Sequence, residues 1–169
     1  MSALLTDETG AGMPLDVSEL DAALEAVLAE EGADRPCDVS VTLVAPERIR
    51  ELNAEWRGID APTDVLSFEC DSPFDAGIPA GEPVELGDVV LCPEVIAAQA
   101  PAFGNTAAEE FRLMLVHGLL HLMGHDHMDE DEAARMEAAE LSVLRELARR
   151  RGDDPDAVRL GPMTRHADD

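Results

Sequence analysis

Apolar residues recur along this chain with two periods, and the switches between them mark out the elements. From Ser18 onward, Leu20, Ala23, Leu24, Val27 and Leu28 fall at helical spacing, and Gly32 ends that helix. Cys37 to Val44 alternates apolar and polar positions through Val39, Val41 and Leu43, the mark of a half-buried strand. Pro46 suits a first helical turn, so a short helix is expected to about Trp56. Arg57-Gly58-Ile59-Asp60-Ala61-Pro62 reads as a loop. Thr63 to Cys70 is a second strand, and 71–86, rich in proline, glycine and acid, a surface loop. Gly87 to Cys92 is a third strand around the run Val89-Val90-Leu91. Pro93 opens a short helix that fades near Pro101 and Gly104. Thr106-Ala107-Ala108-Glu109 fits a capping box and opens a longer helix through Phe111, Leu115, Leu119 and Leu122, which stops at Gly124. Asp129 to Glu132 repeats that pattern and opens a last long helix, which ends at Gly152.

The pattern gives an α+β fold: a small mixed β-sheet packed with about five helices. The organisation expected is a flexible N-terminus over 1–15, one domain over 16–152 and a frayed acidic tail over 153–169. At 169 residues the chain can bury a full core, and its 46% hydrophobic and 29% charged content is that of a globular protein. No apolar run approaches the roughly 20 residues needed to cross a bilayer. Met1 to Gly10 lacks a basic region before an apolar stretch, so a signal peptide is not expected and the cytoplasm is the default compartment. Cys37, Cys70 and Cys92 are far apart and odd in number, which suits small buried thiols better than disulfides or a four-cysteine zinc site.

The histidines change the picture. Four of the five lie in His117-Gly118-Leu119-Leu120-His121-Leu122-Met123-Gly124-His125-Asp126-His127. His117 and His121 are four apart, which places both imidazoles on one helix face, about a turn apart. Gly124 can take the left-handed conformation that ends the helix and returns His127 toward the first two. Three neutral imidazoles around one point commonly hold a catalytic zinc, with water in the fourth position. A purely structural zinc is the rival, though such sites usually fill all four positions with protein ligands. His125 competes with His127 as third ligand, and spacing from the Gly124 turn favours His127. Asp126 either orients a ligand imidazole or helps turn the loop. Zinc proteases of this spacing carry Glu immediately after the first histidine; here that residue is Gly118, which weakens a peptidase reading.

The stretch HGLLHLMGHDH resembles the HGxLHLxGxDH signature of the YbeY endoribonuclease family, also called ribosomal RNA maturation factors. Two further stretches agree. Asn53-Ala54-Glu55-Trp56-Arg57 followed by Asp60 to Phe68 resembles the family's NxxYR…D.PTDVLSF segment, and Leu86 to Cys92 its LGDI.IC strand. Trp56 stands where Tyr is usual, and His125 where Tyr is common.

The resemblance implies a zinc-dependent, single-strand-specific endoribonuclease acting in maturation of the 3′ end of 16S ribosomal RNA and in ribosome quality control. It implies one zinc ion on His117, His121 and His127 and maps the family's important arginine onto Arg57; these four are the candidate catalytic residues. On the loop before the Thr63 strand, Arg57 reads as facing the zinc and binding the scissile phosphate, with a surface ion pair as the alternative. Thr63, Asp64 and Ser67 are candidates to line the same cleft, with capping of the loop as the alternative for Asp64. The partners expected are single-stranded ribosomal RNA precursor and a small-subunit ribosomal protein or assembly GTPase, with neither membrane nor DNA. A net charge of −25 would repel RNA at long range. A nuclease therefore has to keep its acids off the cleft and gather Arg48, Arg50, Arg57 and Arg112 near it. The alternatives are an assembly factor whose zinc only locks the fold and, less favoured, a metallopeptidase.

Overall fold

The computed structural model describes residues 2–160. Four strands, β1 (Ser2–Asp7), β2 (Cys37–Leu43), β3 (Val65–Glu69) and β4 (Val84–Leu91), form one sheet in the order β1-β2-β4-β3. β1 and β4 run parallel to β2, and β3 runs antiparallel to β4, so the sheet is mixed. Five α-helices accompany it: α1 (Ser18–Glu30), α2 (Pro46–Arg57), α3 (Pro93–Gln99), α4 (Ala107–Leu122) and α5 (Glu130–Arg151). This is the α+β class expected from the pattern.

The strand alternation decides which layer lies on which side. Val39, Val41 and Leu43 of β2 and Val65 of β3 enter the main core with the apolar faces of α1, α4 and α5. Leu66 of β3 and Val90 of β4 point the other way, into a smaller core with Val44 and with Ile49 of α2. The sheet is thus covered by α1 and α4 on one face, with α5 packed on those two helices, and in part by α2 on the other. α4 lies across β3 and β4. Its start is fixed as expected: Glu109 N–H donates to Thr106 Oγ1 (3.1 Å) and Thr106 N–H to Glu109 Oε1 (2.9 Å).

Three expectations need correction. Residues 1–15 do not make a loose start, for Ser2–Asp7 pairs with β2 from Ser2–Asp38 to Asp7–Leu43. Ala3 and Leu5 pack on the main core while Leu4 stays exposed. The stretch then turns around Asp7, whose carboxylate accepts from Thr9 Oγ1 (2.6 Å) and from the N–H groups of Thr9, Gly10 and Gly12. The tail is not frayed where it begins: after a helical turn at Pro155–Ala157, Val158 and Leu160 pack against the core. Met1 and the rest of the tail, 161–169, lie outside the described residues. The 71–86 loop is shorter than expected, because β4 already starts at Val84, with Val84 and Leu86 buried. Gly87 is therefore inside β4. There φ is +132°, and a Cβ would come within 2.0 Å of the Phe68 carbonyl oxygen, so only glycine fits. Among the cysteines, Cys37 and Cys92 are buried as expected, and burial pushes both thiols up; Cys70, just past β3, is exposed. No helix of the described residues is long and apolar enough to cross a membrane.

Candidate metal centre and active site

His117 and His121 project from the last two turns of α4. The helix ends in a bifurcated turn, with Met123 N–H on the carbonyls of Leu119 and Leu120, and Gly124 (φ +103°) reverses the chain. Asp126 accepts the His127 N–H at 2.8 Å and holds the returning segment. That segment delivers His127 against the helix, with ring centroids 5.6 Å from His117 and 5.0 Å from His121. One nitrogen from each of the three rings lies within 4.8 Å of the others, close enough to share a metal ion.

Hydrogen bonds on the far side of two rings set their tautomers. His121 Nδ1 faces the carbonyl of His125 at 2.9 Å; a carbonyl only accepts, so Nδ1 carries the proton. His117 Nδ1 lies 2.9 Å from Glu140 Oε1 of α5, a pair sealed from solvent at 1% and 0% exposure. A carboxylate there holds the proton on Nδ1 in the same way. The two Nε2 atoms then face one another, 3.1 Å apart, each presenting a lone pair. A metal ion bound between them would reconcile the two lone pairs, and the His127 ring stands close enough to share it. Burial, with the neighbouring His117 and His127, lowers the His121 pKa to about 4, so at neutral pH the ring is the uncharged ligand a metal needs. The His125 side chain turns away, its Nε2 on Glu31. It is the His125 carbonyl that serves the site.

The three rings stand in a cleft of about 620 Å³. Trp56 and Arg57 from the end of α2, residues 65–69 of β3, and Asp126 complete its walls. Gly118 faces the sheet. A Cβ there would lie 2.7 Å from Val89 Cγ1 and 3.2 Å from both Ser67 Oγ and Val65 Cγ2. The Gly118 carbonyl accepts the Ser67 hydroxyl at 2.9 Å, which ties α4 to β3 beside the histidines. No glutamate could stand at this position, so the general base of a zinc protease has no place here.

The family model for endoribonuclease YbeY matches residues 14–148. Relatives named endoribonuclease YbeY include one from Azorhizobium caulinodans, 42% identical over 94% of this chain and 96% of its own length. Another, from Salinispora tropica, is 39% identical over 85% of this chain and 94% of its own. The chain belongs to the YbeY endoribonuclease family. A Thermotoga maritima protein solved in solution has a similar structure, with a TM-score of 0.55 and 27% identity, covering 94% of this chain and all of its own.

Within this YbeY framework the arginines do not gather as expected. Arg57 lines the cleft. Arg50 instead forms a two-pronged pair with Asp60 (2.8 and 3.2 Å), and Arg112 forms one with Glu19 of α1 (2.9 and 3.3 Å). Arg48 pairs with Glu51 and lines a groove on the other side of Trp56. In a chain with 37 acids and 12 arginines, carboxylates also take up Arg149, Arg150 and Arg151 at the end of α5. Nor are acids kept off the cleft: among the described residues Glu69 and Asp126 stand in its walls beside the single arginine. Ser67 reaches the cleft wall, whereas Asp64 caps the start of β3 through Val65 N–H (2.8 Å) and accepts from Gln99 (2.8 Å). Thr63 donates to Asp64 and is absent from the cleft walls.

Sequence reasoning missed Glu140. Its signal was an acid on the apolar face of α5, in step with Met136, Val143 and Leu147. A buried acid at core spacing needs a buried partner, and His117 is that partner.

Proposed function

We propose that this protein is a zinc-dependent endoribonuclease that cuts single-stranded RNA, with the 3′ precursor of 16S ribosomal RNA as its substrate, in the cytoplasm. The observation that carries the reading is the juxtaposition, in one cleft of a YbeY-family chain, of three convergent imidazoles and Arg57. In this reading His117, His121 and His127 hold the ion, and Arg57 receives the scissile phosphate. A zinc ion so held supplies Lewis acidity toward a phosphoryl oxygen and makes water acidic near neutral pH. Arg57 neutralises the charge that builds on the non-bridging oxygens, whether water or the 2′-hydroxyl attacks. Glu140 and the His125 carbonyl keep two imidazoles in the ligating tautomer. A small-subunit ribosomal protein or an assembly GTPase is the partner class that would bring the enzyme to its substrate and offset its repulsion from RNA.

The test is cleavage of a single-stranded 3′ precursor of small-subunit ribosomal RNA by metal-quantified protein, beside His121→Ala and Arg57→Ala. Wild type should cut, His121→Ala should lose both metal and activity, and Arg57→Ala should keep the metal and lose activity. Absence of cutting by a folded wild type holding one zinc per chain would leave the assembly factor with a structural zinc as the better reading.

A further inference from the structure

Trp56 is 63% exposed, although it is the chain's sole tryptophan in a sequence with four phenylalanines and no tyrosine. It precedes Arg57 at the end of α2 and shares the walls of the histidine cleft with it. It also borders a second groove of about 460 Å³, whose walls include Arg48, Leu52 and Val90 and the acids Glu8 and Asp88. Phe68 is the other residue common to both, so the Trp56–Phe68 pair is the ridge between cleft and groove. The two rings meet nearly at right angles, with centroids 5.7 Å apart and planes 72° apart. An edge-to-face contact covers at most one face of one ring. Phe68 therefore steadies the indole and leaves at least one broad face of it in water.

A flat apolar face beside a phosphate-binding arginine matches one ligand chemistry, an unpaired nucleobase attached to that phosphate. We infer that Trp56 is a stacking platform for a nucleobase next to the phosphate held by Arg57. The inference rests on the RNA-cutting reading above and adds a reason for single-strand specificity. Bases inside a duplex already stack on their neighbours on both faces, so they have none to offer the indole, whereas a single strand can turn a base onto it.

With one tryptophan and no tyrosine, intrinsic fluorescence reports this ring alone. The experiment titrates zinc-loaded protein with a short, dye-labelled 2′-O-methyl oligoribonucleotide, with an abasic strand of equal length and with the matching duplex. Dye anisotropy reads binding, and tryptophan emission reads stacking. The single strand should bind and quench; the abasic strand and the duplex should not quench. Trp56→Ala should weaken single-strand binding about tenfold, and Trp56→Phe less, as expected for loss of one stacked base. Binding without quenching, equal quenching by duplex, or unchanged affinity in Trp56→Ala would each overturn the inference while leaving the nuclease reading intact. A wild type that neither binds nor cuts RNA would remove the nuclease reading and the inference with it.

Discussion

Replacing Glu140 by glutamine isolates the charge that stands behind the first imidazole. Glutamine has nearly the same shape and keeps an acceptor for His117 Nδ1–H across the 2.9 Å contact, so the ring should stay oriented. What it loses is the negative charge that makes the opposite nitrogen a stronger donor to a metal. Glu140 is fully buried, so water cannot take over that role. Partners of this kind typically contribute 10- to 100-fold in metal affinity. We expect Glu140→Gln at the lower end, a loss of about tenfold or roughly 1.4 kcal/mol. Glu140→Ala should fall nearer the upper end, because it also strands the buried N–H. Chelator competition with zinc measures this directly, and thermal unfolding with and without zinc checks it. Stabilisation by a bound ligand grows as the logarithm of its concentration over Kd, so the zinc-induced gain should shrink by the same 1.4 kcal/mol or so. Unchanged zinc affinity in a folded Glu140→Gln protein would refute the argument that the α5 carboxylate tunes His117.

Gly118→Ala should destabilise the fold by about 1–3 kcal/mol, as overpacking does, because the new methyl would sit 2.7 Å from Val89 Cγ1 on a strand that cannot retreat. Denaturant unfolding of the metal-free protein reads this, and an unchanged midpoint would show that α4 and β4 separate more easily than their packing indicates. The metal-free protein should also lose stability on acidification. The folded His121 pKa of about 4 lies below the ordinary 6.5, so the unfolded state binds more protons between them, and stability falls as pH drops through that window. At roughly 1.4 kcal/mol per pH unit the loss approaches about 3 kcal/mol. Urea midpoints measured across the window should fall steadily in wild type and fall less in His121→Ala; parallel curves would contradict the assignment.

The features legible in the sequence are those built from neighbours along the chain. Helical spacing placed α1, α4 and α5, and the Thr106 box and the Gly124 turn placed the two ends of α4. The same local arithmetic brought His117, His121 and His127 together, since they span eleven residues of one helix and its reversal. What the tertiary structure decided involves partners remote in sequence. Ser2–Asp7 alternates too briefly to stand out, and it becomes a strand because β2, some thirty residues on, offers an edge where Ala3 and Leu5 can be buried. Arg112 looked like a candidate for the cleft until α1 supplied Glu19. Glu140 is 23 residues from the histidine it serves, and only the packing of α5 against α4 joins them. The sequence placed Gly118 where a protease would carry its base; the reason lies in the approach of α4 to Val65 and Val89, which leaves no volume for any side chain. Periodicity and turn chemistry act over a few residues, so one sequence displays them, whereas burial and charge pairing depend on which surfaces meet, and that is settled only when the layers close.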